Sequence, residues 1–219
     1  MPENTLIHVP FILDYAHLKF DQVIIFIVTI MLTITVNAEG QAFMATVLGD
    51  SRKDDGNRFH FNPLFHIHPL GLACFAVAGF GWPRPIDINA QRFRLPKIYR
   101  LLVKCGGAFA NFLLACIAGS ISFILTQFGV ADQVFSLVVA VNIMVFVFNI
   151  LPVPPLAGAS IIGLVIPEKI KNKKTARYFS IAVSAGFVAV LALMRINDLS
   201  FFSTTLNPIV RKIFVFMLG

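Results

Sequence analysis

Asn37, Glu39 and Gln41 stand where an apolar run should be least hospitable to them. They fall in Thr35–Asp50, TVNAEGQAFMATVLGD, which prolongs the uncharged stretch Gln22–Ala38. Polar groups on a hydrocarbon-like helix are costly, and such residues face a bundle interior or a functional site. Of the three side chains only the carboxylate can exchange a proton near neutral pH, while the amides are hydrogen-bonding groups. Leu48-Gly49-Asp50 is a turn signal that stops the helix carrying them. The first question is therefore whether this cluster performs chemistry or packs.

Composition decides what surrounds the cluster. The chain has 219 residues, of which 57% are hydrophobic and only 13% charged. Its mean hydropathy is +0.80. A soluble domain is about a quarter charged, so the deficit points to a membrane protein. The length suits one bundle of helices. The net charge of +7 raises the question of nucleic acid. The basic residues, however, sit in short loops between apolar runs, a pattern of membrane topology, and no nucleic-acid partner is expected. Cys74, Cys105 and Cys116 lie in or beside apolar segments without ligand or disulfide spacing, and read as small core residues. The N-terminal stretch lacks a basic n-region and a small-residue cleavage site, so no signal peptide is expected.

The elements follow in order. Residues 1–21 read as an interfacial lead-in. Residues 22–165 form the membrane core and 166–219 carry a basic loop, one more transmembrane helix and an amphipathic tail. The first span runs from Gln22 to about Leu48, long enough to cross about 30 Å of hydrocarbon. Ser51–Asn57 is a charged loop. Arg58-Phe59-His60-Phe61 alternates as a strand does, and Pro63 and Pro69 are expected to break any helix there. Arg58–Gly71 is thus expected to be a short re-entrant or surface β-like element, covered by protein because bare strand edges are not tolerated in lipid. Leu70–Phe80 is apolar but short. Arg84–Lys104 reads as a basic loop, Cys105–Ala131 and Gln133–Ile150 as spans, Lys169–Arg177 as a second basic loop and Tyr178–Met194 as a shorter span. The tail Asn207–Gly219 suits an interfacial helix. An even number of spans separates the two basic loops, 84–104 and 169–177, so both are assigned to the cytoplasmic side. The expected fold is an all-α polytopic membrane protein of five to six transmembrane helices. No internal repeat or coiled-coil heptad is present.

Four segments then occur in a recognisable order: NAEGQAFMATVLGD (37–50); RFHFNPLFHIHPLG (58–71) with AGFGWPRPIDIN (78–89); GGAFAN (106–111); and NILPVPPLAG (149–158). Together they resemble the site-2 protease family of intramembrane zinc metalloproteases, in its compact bacterial form. The resemblance covers roughly residues 22–165. It implies a membrane-embedded helical core and a bacterial cytoplasmic membrane. It also implies a His-Glu-x-x-His helix, whose histidines bind zinc while the glutamate is the general base, and an Asp-Gly supplying the third ligand.

Aligned on Leu48-Gly49-Asp50, the histidine positions are Asn37 and Gln41, the glutamate position is Ala38, and the ligand aspartate position is Ala157. All four are replaced. Glu39 comes one residue late, about 100° round the helix from the base position. His60, His66 and His68 are close in sequence. In similar sequences the position of His66 is commonly His and that of His68 commonly Asp, without a part in the zinc site. They are read as bonding to backbone in the re-entrant element, with a metal site as the alternative. Asn111, Asn142 and Asn149 match polar positions that the family keeps near its active site. With Glu39 they are the candidates for holding a partner, against interhelical hydrogen bonding as the plainer role.

Three functions are consistent with this pattern. The first is a non-enzyme on the protease framework, without metal or cofactor, that binds or scaffolds membrane-protein partner helices in the bilayer as an accessory or assembly subunit. The second is an active intramembrane metalloprotease with rearranged ligands, using Glu39 and the histidines of 60–68. The third, a transport subunit, has only Glu39 as an intramembrane ionisable relay and ranks last.

Overall fold

The computed structural model describes residues 19–50, 59–130, 132–165 and 173–196, with positions 212, 213 and 216. The expected lead-in 1–21 lies almost wholly outside the described residues, as do the loop Ser51–Asn57 and most of the tail Asn207–Gly219. Among the described residues every regular element is a helix.

Helix α1 (Phe20–Val47) has 28 residues and α4 (Pro96–Gln127) has 32. At 1.5 Å per residue these are about 42 and 48 Å long. Both are long and apolar enough to cross a membrane. Helix α5 (Val134–Ile150) has 17 residues, and Leu137 to Val145 are buried without a break. A helix that is apolar on every side belongs inside a bundle, and α5 packs on both α1 and α4. Helix α2 (Pro63–His66) lies on α1, α3 (Pro69–Ala78) packs on α7 (Lys173–Ile196), and α6 (Ala159–Val165) on α4. The main core joins Phe26, Ile30 and Ile34 of α1 to Val139, Ile143 and Phe148 of α5, with Phe75, Phe80, Trp82 and Leu156. A smaller core under the end of α1 holds Ala45, Phe93 and Val103.

Several sequence expectations are corrected. Arg58–Gly71 contains no strand among its described residues. Pro63 and Pro69 do not break helices; each stands at the first position of one. A first-turn N–H has no intrahelical acceptor, so proline loses nothing there, and its fixed φ starts the turn. Each start is capped by the residue before it: Asn62 Oδ1 accepts from Leu64 N (3.0 Å) and His68 Nδ1 from Gly71 N (3.2 Å). The basic loops are shorter than expected for the same reason of hidden helix starts. Pro96 opens α4, which puts Lys97, Arg100 and Lys104 on its first turns. Lys173, Lys174 and Arg177 likewise belong to α7.

His68 also gives the fold a pH dependence. Burial, and then the neighbouring Arg84 charge, lower its pKa from the ordinary 6.5. The unfolded chain therefore binds the proton at a pH where the folded chain does not. The His68 contribution is fully present above pH 6.5 and is lost as pH falls through the lower folded value, when Nδ1 can no longer accept from Gly71. Melting followed by Trp82 fluorescence is expected to drop below that pH. His68→Asn, which caps without titrating, is expected to flatten the profile.

Candidate functional site

Helix α1 passes α4 at very short range. A Cβ on Gly40 would stand 2.5 Å from Ala110 Cβ, one on Gly106 2.8 Å from Met44 Cβ, and one on Gly107 2.6 Å from Gln41 Cγ and 2.7 Å from Asn37 O. Small residues at a helix crossing let backbones approach this closely. The approach brings the two amides of α1 onto α4.

There the amides form a chain. Gln41 Nε2 donates to Asn37 Oδ1 (2.7 Å), Asn37 Nδ2 to Asn111 Oδ1 (2.5 Å), and Asn111 Nδ2 to Asn142 Oδ1 (2.7 Å). Asn111 Nδ2 also donates to Thr33 O (3.0 Å), and Asn142 Nδ2 ends the chain on Val138 O (2.8 Å). Asn37, Asn111 and Asn142 are buried, the last two completely. The chain ties α1, α4 and α5 together at their common centre.

Glu39 takes no part in it. Two residues beyond Asn37, it lies about 200° round the helix and faces the segment before α2. Glu39 Oε1 accepts from His60 N (2.8 Å) and stands 3.2 Å from His66 Nε2. His66 Nε2 also lies 2.5 Å from His60 O. A carbonyl only accepts, so Nε2 carries the hydrogen. Glu39 Oε2 is buried without a hydrogen-bond partner among the described residues. His66 is buried at the same place. The backbone role expected of this histidine is present, and so is a carboxylate partner that no spacing rule announces, since 26 residues of chain, eight of them outside the described set, lie between the two. The ring of His60 stands against Phe65 instead. His68, the N-cap of α3, serves as a hydrogen-bond acceptor, a task that aspartate at this position would perform equally well.

Asn149 belongs to a third place. Its Nδ2 donates to Val145 O (2.8 Å), its Oδ1 accepts from Ala157 N (3.3 Å), and its backbone O accepts from Gly158 N (2.7 Å). It staples the turn after α5 back onto the helix end, and Ala157 sits on that turn. The structure thus divides the candidates: Asn37, Gln41, Asn111 and Asn142 in one chain; Glu39, His60 and His66 on the opposite side of α1; Asn149 and Ala157 at the end of α5.

No family model matches the chain, and no solved structure matches it. Among curated proteins, "Putative zinc metalloprotease YwhC" of Bacillus subtilis (strain 168) is 32% identical over 176 residues, 76% of this chain and 78% of the relative. Zinc, which that name and the resemblance both imply, can be tested against the residues present. Gln41 turns its N–H group into the cluster and occupies the Asn37 acceptor, Asn37 gives its own N–H to Asn111, and Ala38 and Ala157 offer no ligand atom. A catalytic zinc site needs three protein ligands and an open position. Among the described residues no group of three His, Cys, Asp or Glu could hold a metal. The positions that correspond to the zinc motif therefore do not fit the ion.

The kinship nevertheless corrects one expectation. The sequence reading set the chain outside the enzymes because Asn37, Ala38, Gln41 and Ala157 replace the motif residues; the relative is named as a metalloprotease, and this places the chain among enzyme relatives. Replacement at four positions does not remove a chain from its lineage, because the helix crossings and turns that make the framework lie at other residues. On that relationship, the chain belongs to the site-2 protease-like family.

Proposed function

We propose that this protein holds a membrane segment of a partner protein, as an accessory or assembly subunit of a membrane complex. The observation that carries this reading is the amide chain at the positions of the zinc motif. Its inner groups are paired with one another, and its outer end offers a neutral group to a polar partner in a membrane-like interior, where interhelical hydrogen bonds form. The setting supports it. On α1, Ile24, Ile27, Val28, Leu32 and Phe43 point outward, and on α4 Phe109, Leu113, Ile117 and Ile124 do so. A bilayer would cover both rows; the apolar segments would supply five to six spans, and the family resemblance implies a bacterial cytoplasmic membrane. Purification in a gentle detergent followed by reconstitution in nanodiscs tests the reading. The expected result is a stoichiometric complex with one membrane protein that re-forms from the separated components. A chain that stays alone in lipid at high partner concentration would sink it.

A second reading keeps hydrolytic chemistry with Glu39 and His66 as the working groups. The observation favouring it is their 3.2 Å contact, with a buried carboxylate oxygen left over. It expects cleavage of a membrane-segment substrate that falls at least tenfold in Glu39→Ala, with the melting temperature kept. Equal cleavage by both proteins would remove it.

A further inference from the structure

The amide chain has a direction, and two backbone carbonyls set it. Val138 O can only accept, so Asn142 presents Nδ2 to it at 2.8 Å and turns Oδ1 toward Asn111. Thr33 O also only accepts, so Asn111 presents Nδ2 to it at 3.0 Å and to Asn142 Oδ1 at 2.7 Å. Asn111 Oδ1 is then left for Asn37 Nδ2, and Asn37 Oδ1 for Gln41 Nε2. No member can flip without setting two oxygens or two N–H groups against each other. The polarity fixed at the inner end therefore reaches the outer end intact.

Gln41 is the outer end. It is half-buried, its Nε2 is turned inward, and its Oε1 has no donor among the described residues. An amide that donates a hydrogen bond becomes a stronger acceptor at its own oxygen, and a run of such bonds is cooperative. Every bond of this chain runs inward, so the polarisation accumulates on the terminal oxygen. Glu39, about 200° round the helix from Asn37, is bonded to the His60–His66 segment, so the site offers an incoming group a neutral acceptor, not a carboxylate.

We propose that Gln41 Oε1 is the recognition point of the partner-holding site, and that it selects a membrane segment bringing a neutral hydrogen-bond donor, a side-chain amide or hydroxyl, to this face of α1. This rests on the partner-holding reading and names its chemistry. A donor buried in hydrocarbon without an acceptor is costly, so the polarised oxygen favours a segment with a donor over one without. A cation fits less well, because a neutral amide leaves most of its desolvation uncompensated.

The test uses the full-length protein, labelled and reconstituted at low density in phosphatidylcholine vesicles. Three fluorescent polyleucine helices serve as probes, carrying a single central Gln, Lys or Leu, and energy transfer reports association. The Gln helix is expected to bind about three- to tenfold tighter than the Leu helix, in line with one interhelical hydrogen bond. The Lys helix is expected to gain less than the Gln helix. Gln41→Met is expected to bring the Gln helix down to the affinity of the Leu helix. Equal binding of the Gln and Leu helices to the unmodified protein overturns the inference while the partner-holding reading stands, as does a Lys helix that binds tighter than the Gln helix. Absence of binding by all three overturns both. These comparisons on the unmodified protein decide the matter even if Gln41→Met does not fold.

Discussion

Replacing Asn111 by alanine is expected to lower the unfolding free energy by about 2–4 kcal/mol, because one side chain serves three buried groups. Asn37 Nδ2 loses its acceptor, and Asn142 Oδ1 and Thr33 O lose their donor. Thr33 O retains its place in the helix ladder, so the first two carry most of the loss. Interhelical hydrogen bonds in membrane bundles average about 0.6 kcal/mol and reach about 1.7, which bounds the bonds themselves. The rest comes from leaving Asn37 Nδ2 and Asn142 Oδ1 unpaired, since at 3% and 0% exposure of the two residues water does not readily replace the partner. Unfolding in detergent, followed by the fluorescence of the single tryptophan, measures the loss. Ser120→Ala on the same helix is the control, since Ser120 is exposed and among the described residues bonds only within its own helix, to Cys116 O; it is expected to cost under about 0.5 kcal/mol. A double-mutant cycle of Asn37→Ala with Asn111→Ala should give a coupling above about 0.5 kcal/mol. Additive effects would show that the chain is geometry without energy.

Gly71→Ala is expected to be comparably severe for a different reason. A Cβ on Gly71 would stand 2.1 Å from the carbonyl oxygen of Trp82, 3.1 Å from its carbonyl carbon and 3.2 Å from its nitrogen. The contact is backbone on backbone, so no rotamer change relieves it. The strap from Gly79 to Asn89 must lift off α3, and it is fastened at both ends. Phe80 stacks on Phe148 with centroids 3.8 Å apart, while Arg84 N donates to His66 O and Asn89 N to Asp50 Oδ2. Overpacking a tight site costs about 1–3 kcal/mol and sometimes more, and this case belongs at the upper end. The indole of Trp82 is 7% exposed, so release of the strap should also shift its emission to the red. Leu72→Ala, at a side chain 43% exposed, should leave both the melting temperature and the emission close to those of the parent. Unchanged emission and stability in Gly71→Ala would show that the strap yields freely.

Much of the framework is legible along the chain because its causes are local. The apolar run before Asn37 and the turn at Gly49, whose φ is 106°, define α1. The Gly106-Gly107 pair announces a close helix crossing before any partner is known. Other features mislead because one residue type has two meanings. Pro63, Pro69 and Pro96 stop a helix when inside it and start one at its first position; the caps from Asn62 and His68 mark the first two starts, and the start at Pro96 has no side-chain cap to mark it. Basic residues such as Lys97 and Arg100 look like loop, yet they ride the first turns of α4. The motif alignment gives the identity of positions 37, 38, 41 and 157, whereas the neighbours of those positions come from elsewhere in the chain.

Periodicity, composition and motif order are properties of the chain alone, and they sufficed for the long helices, the family and the replacements within its metal motif. The sequence also determined that Asn37 and Gln41 share a helix face, because a spacing of four residues returns to the same side. Tertiary structure decided what those side chains do. It set Asn111 against Asn37 from 74 residues away and Asn142 against Asn111 from 31, and aligned all four amides through the two carbonyls of Thr33 and Val138. It gave Glu39 to His66 on the other side of the helix. Hydrogen-bond direction depends on which donors and acceptors meet in space, and no pattern along a single strand of sequence carries that information.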